Sequence, residues 1–232
     1  MLKSYLIILL TLFSVVTNAQ IFDHSKWSTL LQTHVSNNGN VDYNGFKNNE
    51  ERLDDYLEYL TTNQPNANSS KNEKLAYWIN AYNAYTVKLI IDNFPIKSIK
   101  DIDKPWDKKF IPIGGELLSL NHIEHEILRK MDEPRIHFAI VCASYSCPKL
   151  LNRAFKAEQL ENQLTQATKE FLASDKNTIA SNKIEISKIF KWFPEDFKQN
   201  GTLIDFLNTY SETQISKKAK KSFKDYDWSL NE

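Results

Sequence analysis

The stretch 73–92 constrains this chain more than any other. Its apolar residues, Leu75, Trp78, Ile79, Tyr82, Val87, Leu89 and Ile90, fall nearly all round a helix instead of on one side. A helix without a polar face is a buried one, so the other segments have to be arranged around it. Pro95 closes it. Asn80 and Asn83 lie three residues apart, hence on one face. A buried amide without partners costs roughly 1–3 kcal/mol. The pair therefore either ties the helix to backbone elsewhere, the default reading, or lines a polar pocket as substrate-binding residues.

The flanking segments give the remaining elements. Helical spacing covers 25–35 (Trp27, Leu30, Leu31, Val35) and then Leu53, Tyr56, Leu57 and Leu60. Residues 61–73 are polar and turn-forming, a surface loop. Phe110-Ile-Pro-Ile and Glu116-Leu-Leu-Ser-Leu, joined by Gly114-Gly115, predict a β-hairpin. Asn121 followed by Glu124 predicts a capping box opening a helix. The run 135–142 (RIHFAIVC) predicts a buried strand, 157–172 an amphipathic helix, 183–190 another strand and 202–210 a short helix. The expected fold is α+β, a helix-rich single domain with a small sheet.

Several functions are excluded early. The 232 residues carry 29 Lys and Arg against 29 Asp and Glu, a net charge of zero, which gives no support for a nucleic-acid binder. With only five glycines, no dinucleotide fingerprint, P-loop or nucleophile elbow can be written. Five lysines between 217 and 224 predict a solvated face. Residues 1–19 combine Lys3, an apolar run from Tyr5 to Val16 and small residues Thr17 and Ala19, the pattern of a signal peptide. The domain then spans 20–232, exported and secreted or periplasmic, and no later stretch is apolar enough to span a bilayer.

The chemistry concentrates at 137–148, HFAIVCASYSCP, which holds the only two cysteines, Cys142 and Cys147. Three readings of Cys142 stay open: a nucleophile, a disulfide partner of Cys147, or an inert buried thiol. A nucleophile needs a base. Strand geometry argues against His137, since positions 137 and 142 face oppositely and five strand residues span about 16 Å. His125 falls at the border of the buried side of its helix, where a base lining a site would sit; Glu124 falls inside it, to cap the helix or orient the base. His137 and Ser146 are further candidate substrate-binding residues. His122-x-x-His125 lacks a third ligand, so no metal is assigned. No cofactor is expected.

Together these segments resemble the family catalogued as domain of unknown function 547. The resemblance rests on Val41-Asp42-Tyr43, YWINAYNAY at 77–85, LNHIEHEILR at 120–129, RIHFAIVCASYSCPKL at 135–150, KIFKWFPEDF at 188–197 and YDWSLNE at 226–232. The family brings no settled activity; its bacterial members are commonly exported single-domain proteins. Its pattern matches Asn80, Asn83, Glu124, His125, His137 and Cys142 here, and places Asn83 ahead of Asn80 as a site residue. The position of Cys147 is often serine in that pattern, which weighs against an obligatory disulfide.

Two functions follow as expectations. One is a thiol-dependent hydrolase of amide or peptide bonds, with a cysteine-peptidase-like core, Cys142 as nucleophile, His125 as base, and backbone N–H groups of the turn after Cys142 as oxyanion hole. The other is a non-catalytic module binding a small molecule, a peptide or a protein. Processing is testable by itself. Intact-mass analysis of the exported protein is expected to give a chain beginning at Gln20; a membrane-bound product retaining 1–19 contradicts this.

Overall fold

The computed structural model describes residues 22–232. The signal-peptide reading of 1–19, with its cleavage before Gln20, lies outside the described residues. The long apolar helix is α4 (Lys71–Asn93), and it is buried on nearly every side. It starts earlier than its periodicity suggests. Ser70 caps it, accepting from the Glu73 N–H at 3.2 Å while Glu73 Oε2 accepts from the Ser70 N–H at 2.6 Å. It ends where Phe94 turns extended ahead of Pro95. Helices α1 (Ser25–His34), α2 (Tyr43–Asn48) and α3 (Glu50–Thr62) pack with it in the main core. Trp27 stacks on Tyr56 with ring centroids 5.8 Å apart, and the Tyr77 hydroxyl donates to the Leu60 carbonyl at 2.6 Å.

The hairpin forms as expected, from β1 (Ile111–Ile113) and β2 (Glu116–Leu118), with Pro112 opposite Leu117. Gly114 and Gly115 both have positive φ, which a two-residue type I′ hairpin turn requires. A second sheet joins β3 (Thr178–Ala180) and β4 (Lys183–Ile186) antiparallel, with β5 (Lys220–Phe223) parallel to β4. The strand expected over 183–190 stops at Ile186 and gives way to the short helix α6 (Ile189–Trp192). The lysines of β5 do face solvent, but their backbone completes the sheet. This sheet, α5 (Leu160–Ala173) and α7 (Leu203–Tyr210) enclose a second core rich in phenylalanine: Phe138, Phe171, Phe190 and Phe197. The whole is a helix-rich α+β fold with small sheets. Among the described residues no helix is long and apolar enough to cross a membrane.

Two local expectations are corrected. The run 135–142 is not a strand: Pro134–Phe138 forms a 3₁₀ helix. Pro134 sits in its first turn, Glu133 accepts from the Arg135 N–H at 3.2 Å, and the Ala139 and Ile140 N–H groups both reach back to the Ile136 carbonyl. A segment buried on all sides has no alternation, so its apolar pattern cannot separate strand from helix. The capping box at Asn121 and Glu124 also does not form. The helical backbone already includes Asn121, whose side chain goes to Asp107, and Ser119 is the residue that accepts from the His122 N–H, at 3.1 Å.

Asn80 and Asn83 take the tie reading. Each amide makes two backbone bonds. Asn80 donates to the Phe155 carbonyl at 2.8 Å and accepts from the Phe155 N–H at 2.9 Å. Asn83 donates to the Ala139 carbonyl and accepts from the Val141 N–H, both at 2.9 Å. Replacing either by alanine strands a buried N–H and a buried C=O, at roughly 1–3 kcal/mol for each stranded group. Thermal melts of Asn80→Ala and Asn83→Ala are expected to show both midpoints lowered by several degrees, at about 2–4 °C per kcal/mol for a domain of this size. Unchanged midpoints contradict the ties.

Candidate functional site

The Asn83 bonds hold the backbone that leads directly into Cys142. There the chain turns: Ala143 adopts a left-handed conformation (φ 55°), and the Cys147 N–H closes onto the Ser144 carbonyl at 3.0 Å. This brings the two sulfurs together, Cys142 Sγ lying 2.7 Å from Cys147 Sγ. The Cys142 N–H points at the Cys147 sulfur at 2.9 Å. The Cys142 sulfur also meets the Ser144 hydroxyl at 3.1 Å and the Tyr226 hydroxyl at 3.2 Å. Cys142 is half-buried; Cys147, 7% exposed, lies deeper.

Tyr226 arrives on the C-terminal segment, which crosses the thiol turn as a strap. The Tyr145 N–H donates to the Ser229 carbonyl at 2.7 Å, the Ser146 N–H to the Asp227 carbonyl at 3.2 Å, and the Asp227 N–H to the Ser146 hydroxyl at 2.8 Å. Near its end the strap meets the segment between α1 and α2, where the Val41 N–H donates to the Asn231 carbonyl at 2.8 Å.

The sulfurs open into a cleft of about 400 Å³ between the two cores. Glu124, His125 and His137 line it with Cys142 and Cys147, and its walls are largely aromatic: Tyr82, Trp106, Trp192, Phe193, Tyr226 and Trp228. Trp192 and Trp228 stack with centroids 5.7 Å apart.

The helix bearing Glu124 and His125 widens into a π-helical turn, His122–Ile127, a feature frequent at functional sites. As the sequence suggests, Glu124 is buried and His125 half-buried; His122 is exposed. Arg129 turns inward. Its guanidinium grips Asp196 through Nε at 2.6 Å and Nη2 at 2.8 Å, and its Nη1 lies 3.1 Å from His125 Nδ1. Asp196 also contacts His137 Nε2, at 2.7 Å.

This network fixes the imidazoles. A guanidinium can only donate, so His125 Nδ1 accepts and the neutral ring carries its proton on Nε2. Burial, with Arg129 beside it, pushes the His125 imidazole below its ordinary range. His125 therefore offers an N–H at neutral pH, where the sequence suggests a base. Burial likewise pushes His137 down, although the Asp196 carboxylate opposes this. Burial by itself would raise Asp196, but its bonds to Arg129 and His137 outweigh that and hold the carboxyl well below the usual range. Burial pushes Glu124 up from the usual 4.5 to about 7, outweighing the support that the Tyr82 hydroxyl, at 3.3 Å, and the Arg129 charge give to the carboxylate. Between the sulfurs, burial raises the Cys142 thiol, while the bonds aimed at Cys147 outweigh its own burial and lower it.

The cleft thus brings together Cys142, His125, Glu124 and His137. It does not include Asn80, Asn83 or Ser146, and the substrate-binding assignments of these three are corrected: the amides bind backbone, and the Ser146 hydroxyl binds the strap. His137 is not among the partners of the Cys142 sulfur, as expected, but a 3₁₀ turn and Asp196 are the reason, not strand alternation. Of the turn N–H groups expected to form an oxyanion hole, those of Tyr145, Ser146 and Cys147 are engaged elsewhere. Tyr226, Ser144, Arg129 and Asp196 were not singled out from the sequence. All four lie within the family motifs at 120–129, 135–150, 188–197 and 226–232, and that inclusion was the one sequence signal that pointed their way. Among the described residues no group of three or more His, Cys, Asp or Glu could hold a metal ion.

The Glu124 shift carries a stability consequence. The folded carboxyl keeps its proton up to about 7 while the unfolded chain releases it near 4.5, so folding loses free energy as pH rises through that window. The upper bound is roughly 3 kcal/mol. Glu124→Gln is expected to melt increasingly above wild type from about pH 5 to about pH 8; a constant difference contradicts the shift.

No curated protein and no solved structure matches this chain. The matched family stretch holds the α4 asparagines, the π-helical turn and both cysteines, but not Asp196 or the strap. Residues 66–172 match the model of the family described as "Protein of unknown function, DUF547", the same family that the sequence motifs resemble.

Proposed function

We propose that the cleft is the active site of a thiol-dependent hydrolase of amide or peptide bonds, carried by an exported protein. The observation that carries this reading is the Cys142 sulfur at a cleft wall, with a second sulfur 2.7 Å and a phenol 3.2 Å away. An activated nucleophile needs a proton acceptor within reach, and Cys147 is the group that meets this condition. Cys142 attacks the carbonyl carbon as its proton passes to the Cys147 thiolate, the form that the bonds aimed at that sulfur favour. The Tyr226 hydroxyl donates to the oxyanion. As the C–N bond breaks, the leaving amine takes the proton, and water then cleaves the thioester. Glu124, titrating about 7, can supply or take protons across the cleft, and His125 presents an N–H to the substrate.

A binding module is the second reading, supported by the aromatic walls. Four rings at 106, 192, 226 and 228 form a surface suited to an apolar or ring-shaped ligand. Iodoacetamide labelling at neutral pH, with turnover of a panel of peptidyl aminocoumarins, separates the two. The hydrolase reading expects Cys142 to label and Cys142→Ser to abolish turnover with an unchanged melt. An inert Cys142 in a folded protein without turnover sinks it and leaves the binding module.

A further inference from the structure

The two sulfurs also carry a chemistry that does not depend on hydrolysis. They are the only cysteines of the chain, and the left-handed Ala143 turns them onto each other within one short turn. They differ in place. Cys142 is the more accessible and lines the cleft; Cys147 sits behind it, with the Cys142 N–H directed at its sulfur. Hydroxyls of Ser144 and Tyr226 reach the Cys142 sulfur from the other side. An accessible thiol backed by a buried one, with donors directed at both sulfurs, is the arrangement thiol–disulfide exchange needs: one sulfur to meet an external disulfide and a second to resolve it.

We propose that Cys142 and Cys147 are a reversible dithiol–disulfide couple that exchanges with low-molecular-weight disulfides entering the aromatic cleft. The Cys142 thiol attacks one sulfur of the incoming disulfide, losing its proton as it does so; that S–S bond breaks and the first thiolate leaves. Cys147 then attacks the Cys142 sulfur, the mixed disulfide breaks, and the second thiolate leaves. The two protons of the cysteine thiols go to the two departing thiolates. The protein is oxidised by two electrons and the external disulfide is reduced by two. Reduction by two small thiols runs the same steps backwards.

The test uses the full chain and glutathione with its disulfide as the probe. Protein equilibrated over a series of glutathione ratios is acid-quenched, alkylated and weighed by mass spectrometry. Both thiols are expected to be lost together, with one midpoint, and to return at reducing ratios. Cys147→Ser, lacking the resolving sulfur, is expected to hold one glutathione per chain on Cys142, whereas Cys142→Ser leaves Cys147 largely unmodified. Two thiols alkylatable at every ratio, or a disulfide that stays closed at every ratio, overturns the couple. Should either variant fail to fold, the wild-type titration still decides. Peptide turnover has no part in the readout, so a cleft that hydrolyses nothing can still exchange disulfides, and a hydrolase can still lack the couple.

Discussion

The side chain of Asn83 holds the arrangement together. Its two bonds, to the Ala139 carbonyl and the Val141 N–H, fasten the backbone just before Cys142 to a helix buried on nearly every side. A single bond would leave that backbone free to pivot; two bonds from one planar amide fix both its position and its rotation. Asn80 repeats the device one turn earlier, on Phe155. The helix serves as a rail, and the segments on either side of the thiol turn are clamped to it. The site is placed by groups that take no part in it.

Much of the scaffold was legible in the sequence because its signals are local. Periodicity located α1, α3 and α4, the paired glycines located the hairpin, and the two amides could be recognised as groups in need of partners. The failures share a cause. The run 135–142 is buried on every side, so it carried no alternation to read, and Pro134 with Glu133 decided its helical start. Asn121 and Glu124 had the spacing of a capping box, but Ser119 lay two residues earlier with its own hydroxyl, and one box that does form, Ser70 with Glu73, sits at the end of a stretch read as loop. At the site the thiols were plain. Their surroundings were not: Tyr226 lies 84 residues from Cys142 and Asp196 lies 59 from His137, and no local pattern specifies such pairs.

The ionic side of the cleft follows from one shared carboxylate. Asp196 takes both the Arg129 fork and the His137 ring, and Arg129 passes a remaining N–H to His125. The two imidazoles are thereby held in set tautomers by a chain of donors and acceptors that tolerates no reversal, since guanidinium never accepts and carboxylate never donates. Phe193 lies over the His137 ring, centroids 4.0 Å apart. Glu124, outside this chain, is left as the carboxyl with freedom to change charge near neutrality.

The strap bears on how the molecule acquires its site. It pairs residues near 41 with residues near 231, so nearly the whole described chain lies inside the loop it closes. Contacts of such wide sequence separation are made against the largest loss of chain freedom, and they form after the local ones. The helices around α4 can therefore assemble before Tyr226 and Trp228 reach the thiol turn. Until they do, the turn has its sulfurs but neither its phenol nor one wall of its cleft. The site and the fold are thus completed in sequence, and the chemistry of the thiols is acquired last.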